Sequence, residues 1–182
     1  MRAAVADDCT CAFASIFHFW QCRSLVVSVT ANVSLMPSRR KARELALQML
    51  FQWDVGQHPP EEVITTFLTP RKLDPKTEEF ARTLFEGAVK ETKSLDALLR
   101  AQSEHWRLDR MAAVDRNILR LSLYELLYIP ENPHAVVLDE ALELARRFST
   151  VDSVSFINGV LDGILKARAD AELKEGGAKS SV

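Results

Sequence analysis

DRMAAVDRNILRLSLYELL, residues 109–127, reads as one helix with almost no polar face, and that reading decides the fold. Met111, Val114, Ile118, Leu119, Leu121, Leu123, Leu126 and Leu127 recur at helical spacing but spread around nearly the whole circumference. Such a helix is stable in water only when other elements surround it. It is therefore expected at the centre of the molecule, capped by Asp109 and stopped by Pro130.

Outward from this spine, every stretch with a clear period repeats at three and four residues, and none sustains strand alternation, so the chain is read as all-α. On the C-terminal side, Asn132–Pro133 opens a helix burying Val137, Leu138, Ala141, Leu142, Leu144, Ala145 and Phe148. A last helix starts near Asp152 and buries Val154, Ile157, Val160, Leu161, Ile164 and Leu165. On the N-terminal side, Ser38 and Gly56 punctuate a first helix whose inner stripe is Ala42, Leu45, Ala46, Met49, Leu50 and Trp53. A short second helix runs from Pro59 or Pro60 to Leu68. A third begins at Asp74–Pro75 and carries Phe80, Leu84, Phe85, Ala88 and Val89, and Ser94 restarts a fourth through Leu98 and Leu99. The total is about seven helices, with no repeat period of solenoid type.

A chain of 182 residues with 47% hydrophobic and 26% charged content can bury one core, as one domain or as two small subdomains sharing it. A formal net charge of −2 excludes nucleic-acid binding over the whole surface, so any such contact must be local. All three cysteines, Cys9, Cys11 and Cys22, lie in the first 22 residues. The rest therefore has no disulfide framework and reads as cytoplasmic. Cys9, Cys11, His18 and Cys22 lack paired metal-ligand spacing, so no metal site is assigned. The apolar segment 12–20 is too short to span a bilayer and is preceded by Asp7 and Asp8 instead of positive charge. Punctuation and periodicity begin at Met36. Residues 1–35 are expected to be an unstructured extension or to precede the true start, 36–168 to be the folded domain, and 169–182 a disordered tail.

Catalytic motifs are absent. His58, His105 and His134 are scattered, no glycine-rich phosphate loop occurs, and no acid/base pair stands out, so the chain is read as non-enzymatic and without cofactor. Asp139, Glu140 and Glu143 read as solvated charge on an outer face. The informative cluster is Arg39–Arg40–Lys41–Ala42–Arg43, four cations in five residues at the positive end of a helix dipole. Helix stability does not select that arrangement, whereas contact with phosphates and unpaired bases would. A solvated arm is the alternative, and composition leaves the two even. Leu47 and Phe51, four apart and off the inner stripe, mark an apolar spot that either faces a protein partner or is covered by a neighbouring helix.

Three runs carry a family resemblance: RRKARELALQMLFQWD (39–54), AAVDRNILRLSLYEL (112–126) and NPHAVVLDEALELARRFSTVDSVSFINGVLDGIL (132–165). In order and spacing they resemble the hallmark segments of the NusB family, over about residues 37–168. The resemblance implies two small packed helical bundles. It also implies an antitermination factor that binds boxA RNA as a heterodimer with the ribosomal protein NusE, within the RNA polymerase antitermination complex. It places Arg39, Arg40, Lys41, Arg43, Asp152, Ser153 and Phe156 on the RNA side. Phe51 and Asp115, with Leu47 beside them, fall on the NusE side. Lys41 departs from an all-arginine run, keeping the charge but losing the planar fork. Two alternatives stay open: the RNA-binding module of a ribosomal RNA cytosine methyltransferase, for which no catalytic domain follows Leu165, and a protein-binding scaffold that homodimerises when free.

Overall fold

The computed structural model describes residues 38–102 and 108–178, with residues 109 and 171–178 described by backbone alone. The described residues form seven α-helices and no strand. In chain order these are α1 (Ser38–Gly56), α2 (Pro60–Leu68), α3 (Pro75–Lys90), α4 (Thr92–Gln102), α5 (Ala113–Tyr128), α6 (His134–Phe148) and α7 (Val151–Ala178), with a 3₁₀ turn at Leu108–Arg110. None is long and apolar enough to cross a membrane.

The boundaries follow local chemistry. The Asp74 carboxylate accepts from the Thr77 N–H at 3.3 Å and caps α3 ahead of Pro75. α1 ends at Gly56, and the next residue, Gln57, takes a left-handed φ of 52° while its N–H closes on the Trp53 carbonyl at 3.0 Å. The break between α3 and α4 falls at Glu91, and α4 begins at Thr92, two residues earlier than the Ser94 restart, where the Thr92 hydroxyl reaches the Ala88 and Val89 carbonyls at 2.7 and 2.9 Å. Asp109 is not the cap of α5. It lies in the 3₁₀ turn, and Ala112 in extended backbone precedes the helix without a side-chain cap. α7 continues through Ala178, past residue 168, where the sequence reading ends the folded domain. Ala167, Arg168, Ala169, Ala171, Glu172, Leu173 and Lys174 are all good helix formers, which favours continuing the helix.

α1 packs most extensively on α3, with α2 against both; α5, α6 and α7 pack on one another, and α4 lies against α5 and α7 as well as α3. Contacts of α5 with both α1 and α3 join the groups through one continuous core. The spine expected at α5 is present: Ile118, Leu119, Leu121 and Leu123 are 0–1% exposed. α1 is a second spine. Ala42 through Leu47, with Met49 and Leu50, are all buried, so its middle has no solvent face. Gly87 lets α5 approach closely, because a Cβ there would stand 1.9 Å from Tyr124 Cζ.

Candidate nucleic-acid interface

The basic run at the start of α1 is divided by the fold into exposed and internal charges. Lys41 is exposed and forms no ion pair among the described residues. Arg39 is exposed, donates to Asn132 Oδ1, and holds its guanidinium 5.3 Å from the Phe80 ring centroid. Arg40 is half-buried and forks onto Glu140, with Nη2–Oε1 at 2.6 Å and Nε 3.1 Å from each carboxylate oxygen. The hydrogen bonds that Arg40 donates to Glu140 push its pKa above the ordinary value.

Arg43 corrects the sequence expectation. It is 4% exposed and paired with Glu125 (Nε–Oε2 2.8 Å, Nη2–Oε1 2.5 Å), with Glu140 a further 3.6 Å away. The sequence expects it among the RNA-side cations, and the fold places it in a core ion pair: α1 is covered on all sides here, so a cation must find a carboxylate. Glu125 also accepts from Asn132 Nδ2 at 2.7 Å. Arg39, Asn132, Glu125, Arg43, Glu140 and Arg40 thus form one chain of polar contacts linking α1, α5, α6 and the residue before Pro133. Glu140, expected on an outer face, is the hub for two arginines, its side chain 12% exposed. One turn on, Glu44 is buried against Arg147 of α6. Burial raises its pKa, opposed by Arg147, Lys41 and Arg40.

The start of α7 is built from hydroxyls. Thr150 Oγ1 accepts from the Ser153 N–H at 3.3 Å, which caps the helix. Ser153 is 7% exposed and donates to Asp115 Oδ2 at 2.8 Å, while Ser149 Oγ donates to Asp115 Oδ1 at 2.5 Å. Ser153 and Asp115 therefore hold the α6–α7 junction against α5. Asp115, expected on the partner side, is buried in the free chain with both its oxygens engaged by these hydroxyls. Asp152 is exposed in the first turn, and Phe156 is half-buried at the edge of the core. The Glu44–Arg147 pair joins the helix that carries the basic run to the last turn of α6, next to this junction.

The apolar spot on α1 is split in the same way. Leu47 is 0% exposed, so the neighbouring-helix reading holds and the partner reading fails for it. Phe51 is half-buried.

Sequence reasoning missed a second polar cluster at the far end of α1. Asp54 Oδ2 lies 2.6 Å from Arg116 Nη2 and 3.2 Å from Asn117 Nδ2, and Asp54 Oδ1 is 2.9 Å from Arg120 Nη1. Arg120 also forks onto Asp96 of α4, both contacts at 2.8 Å. Burial would raise Asp54, but the hydrogen bonds from Arg116 and Arg120 outweigh it and lower its pKa. The available signal was a charge inside an apolar run, Arg120 within 118–123. Cys9, Cys11, His18 and Cys22, and also His105, lie outside the described residues. No group of three or more candidate metal ligands occurs among the described residues.

With this geometry in view, comparison with known proteins is direct. Residues 40–166 match the model of the NusB family. The chain is 50% identical over 139 residues to the transcription antitermination protein NusB of Koribacter versatilis, covering 76% of this chain and 94% of that protein. It is 42% identical to the NusB protein of Symbiobacterium thermophilum, covering 74% and 93%. Among solved structures, T. maritima NusB superposes with a TM-score of 0.67 at 37% identity, covering 72% of this chain and 92% of that one. The antitermination factors NusB and NusE in complex with dsRNA give 0.67 at 27% identity, covering 73% and 99%. The helix order, the basic start of α1 and the SVSFINGVLD start of α7 sit inside the matched span, and the chain belongs to the NusB family.

Proposed function

We propose that this chain is a transcription antitermination factor that binds boxA RNA as a heterodimer with NusE and acts within the RNA polymerase complex without catalysing a reaction. The observation that carries the reading is the exposed cationic edge at the start of α1, formed by Arg39, Lys41 and the outer part of Arg40 on a chain of net charge −2. Such an edge binds phosphate locally, and a basic ribosomal protein can supply the remaining positive surface. NusB with NusE and dsRNA shares this fold.

The geometry and the family resemblance support the following roles. Arg39 and Lys41 meet RNA directly, and Arg40 can exchange the Glu140 carboxylate for a phosphate of the same fork geometry. Phe156 supplies an aromatic edge for a base and Asp152 borders it, while Ser153 and Asp115 position that turn. Phe51 faces NusE.

Reconstituted transcription through a terminator downstream of boxA tests the reading. Adding the chain with NusE is expected to raise read-through on the boxA template and not on a scrambled one. Equal read-through on both templates overturns it.

A further inference from the structure

The cationic edge does not end on α1. Beside it, between the first turn of α1 and the first three turns of α3, lies a cleft of about 330 Å³ lined by Ser38, Arg39, Lys76, Glu79, Phe80 and Thr83. Its composition is that of a nucleotide site. Phe80 provides an aromatic wall, half-buried and fixed against the core, so its ring is held without further loss of rotamer freedom. Two guanidiniums already lie at stacking distance from that ring, Arg39 at 5.3 Å and Arg43 at 5.6 Å. Lys76, exposed on the α3 side, makes no ion pair among the described residues and faces the same space as Arg39. Thr83 is exposed on the same helix face two turns on, with its hydroxyl donated to the Glu79 carbonyl at 2.9 Å.

We propose that this cleft is a subsite for one unpaired nucleotide of the bound RNA, its base against Phe80 and its phosphate between Arg39 and Lys76. The inference rests on the RNA-binding reading above and extends the RNA surface from α1 onto α3. Charge sets the direction of the nucleotide. The Glu79 carboxylate repels phosphate but accepts hydrogen bonds from a base amino group, so the base points toward Glu79 and the phosphate toward the two cations. Base stacking on an aromatic side chain tolerates any base, so the subsite adds affinity and register more than sequence preference.

The test uses the full chain with NusE, a boxA RNA carrying 4-thiouridine at successive positions, and the variants Lys76→Ala, Thr83→Glu and Lys90→Ala. The substituted side chains are exposed, so all three variants should keep the wild-type helical circular dichroism. Lys76→Ala should weaken binding about threefold to tenfold and reduce the dependence of log affinity on log salt by about one. Thr83→Glu should weaken binding by more than Lys76→Ala, and Lys90→Ala, at the other end of α3, should leave it unchanged. One thiouridine position should cross-link to the peptide containing Phe80. If wild type binds the RNA but Lys76→Ala and Thr83→Glu match it in affinity and salt dependence, or cross-links fall only on α1 and α7, the subsite is wrong and the RNA reading stands. If wild type itself does not bind, the parent reading fails first, and the subsite with it.

Discussion

Arg43 of α1 and Glu125 of α5 meet as a buried fork, Nε–Oε2 at 2.8 Å and Nη2–Oε1 at 2.5 Å, with the Arg43 guanidinium 5.6 Å from the Phe80 ring centroid. The pair lies directly beneath the cationic edge, and Glu140 and Asn132 connect it to Arg40 and Arg39. Arg39 and Arg40 are thus oriented by an amide and carboxylates that are anchored in the core. In the proposed function Arg39, Arg40 and Lys41 meet RNA, and Arg43 fixes their geometry from beneath.

Removing one member of the fork should be costly. Arg43→Met leaves the Glu125 carboxylate buried with only Asn132 as a donor, and should lower the free energy of unfolding by about 3–5 kcal/mol. Adding Glu125→Leu to it should recover part of that loss, because the unpaired charge is gone. Urea denaturation of the single and double variants measures both, and a double variant less stable than the single would contradict the assignment.

Asp115 should matter to the start of α7 and not to the surface of α5. Asp115→Ala strips the acceptor from Ser149 and Ser153 and should destabilise the fold by about 1–3 kcal/mol. Amide exchange should speed up first at residues 151–156. Unchanged protection there would show that the hydroxyl cluster does not hold the junction.

Two buried carboxylates give opposite pH dependence. Asp54 has a lowered pKa, because its arginine hydrogen bonds outweigh burial, so its stabilising contribution is present above the unfolded value and is lost as pH falls through the folded one. Glu44 has a raised pKa, mainly from burial, so its charged form costs stability at neutral pH, a cost relieved as pH falls through the folded pKa toward the unfolded one. Glu44→Gln should therefore be at least as stable as wild type at pH 7, with the difference shrinking on acidification. Asp54→Asn should be less stable than wild type at pH 7 and converge on it below about pH 4. Denaturation across pH 3–7 reads both signs.

Gly87 supports the stacked pair Tyr124 and Tyr128, whose ring centroids are 5.1 Å apart. Gly87→Ala drives a methyl into Tyr124 and should cost about 1–3 kcal/mol. Combining it with Tyr124→Ala should lose less than the sum of the two single changes, as chemical denaturation would show.

Much of this was legible before the structure, because it is local. Asp74–Pro75, Gly56 and the stop before Pro130 act within one turn, and their helices begin or end beside them. The all-α class and the central place of α5 follow from periodicity alone. The unreadable part depends on what covers a face. Leu47 stood open between a partner face and a covering helix, because spacing cannot reveal that other helices enclose α1. Arg43 and Asp115 looked available because their partners lie 82 and at least 34 residues away in sequence. The family resemblance named segments, and within each segment burial, which spacing does not show, separates exposed side chains such as Lys41 and Asp152 from enclosed ones such as Arg43 and Ser153.

The central claim is that the exposed part of the basic run, with NusE, grips boxA RNA. It is tested most directly by the salt-dependent affinity of the chain for boxA and scrambled RNA, with and without NusE, for wild type and Lys41→Ala. The account predicts tighter binding to boxA that strengthens with NusE, and a Lys41→Ala protein of unchanged thermal stability whose affinity and salt dependence both fall, the latter by about one. Equal binding to both RNAs irrespective of NusE, or a Lys41→Ala protein indistinguishable from wild type, would contradict it.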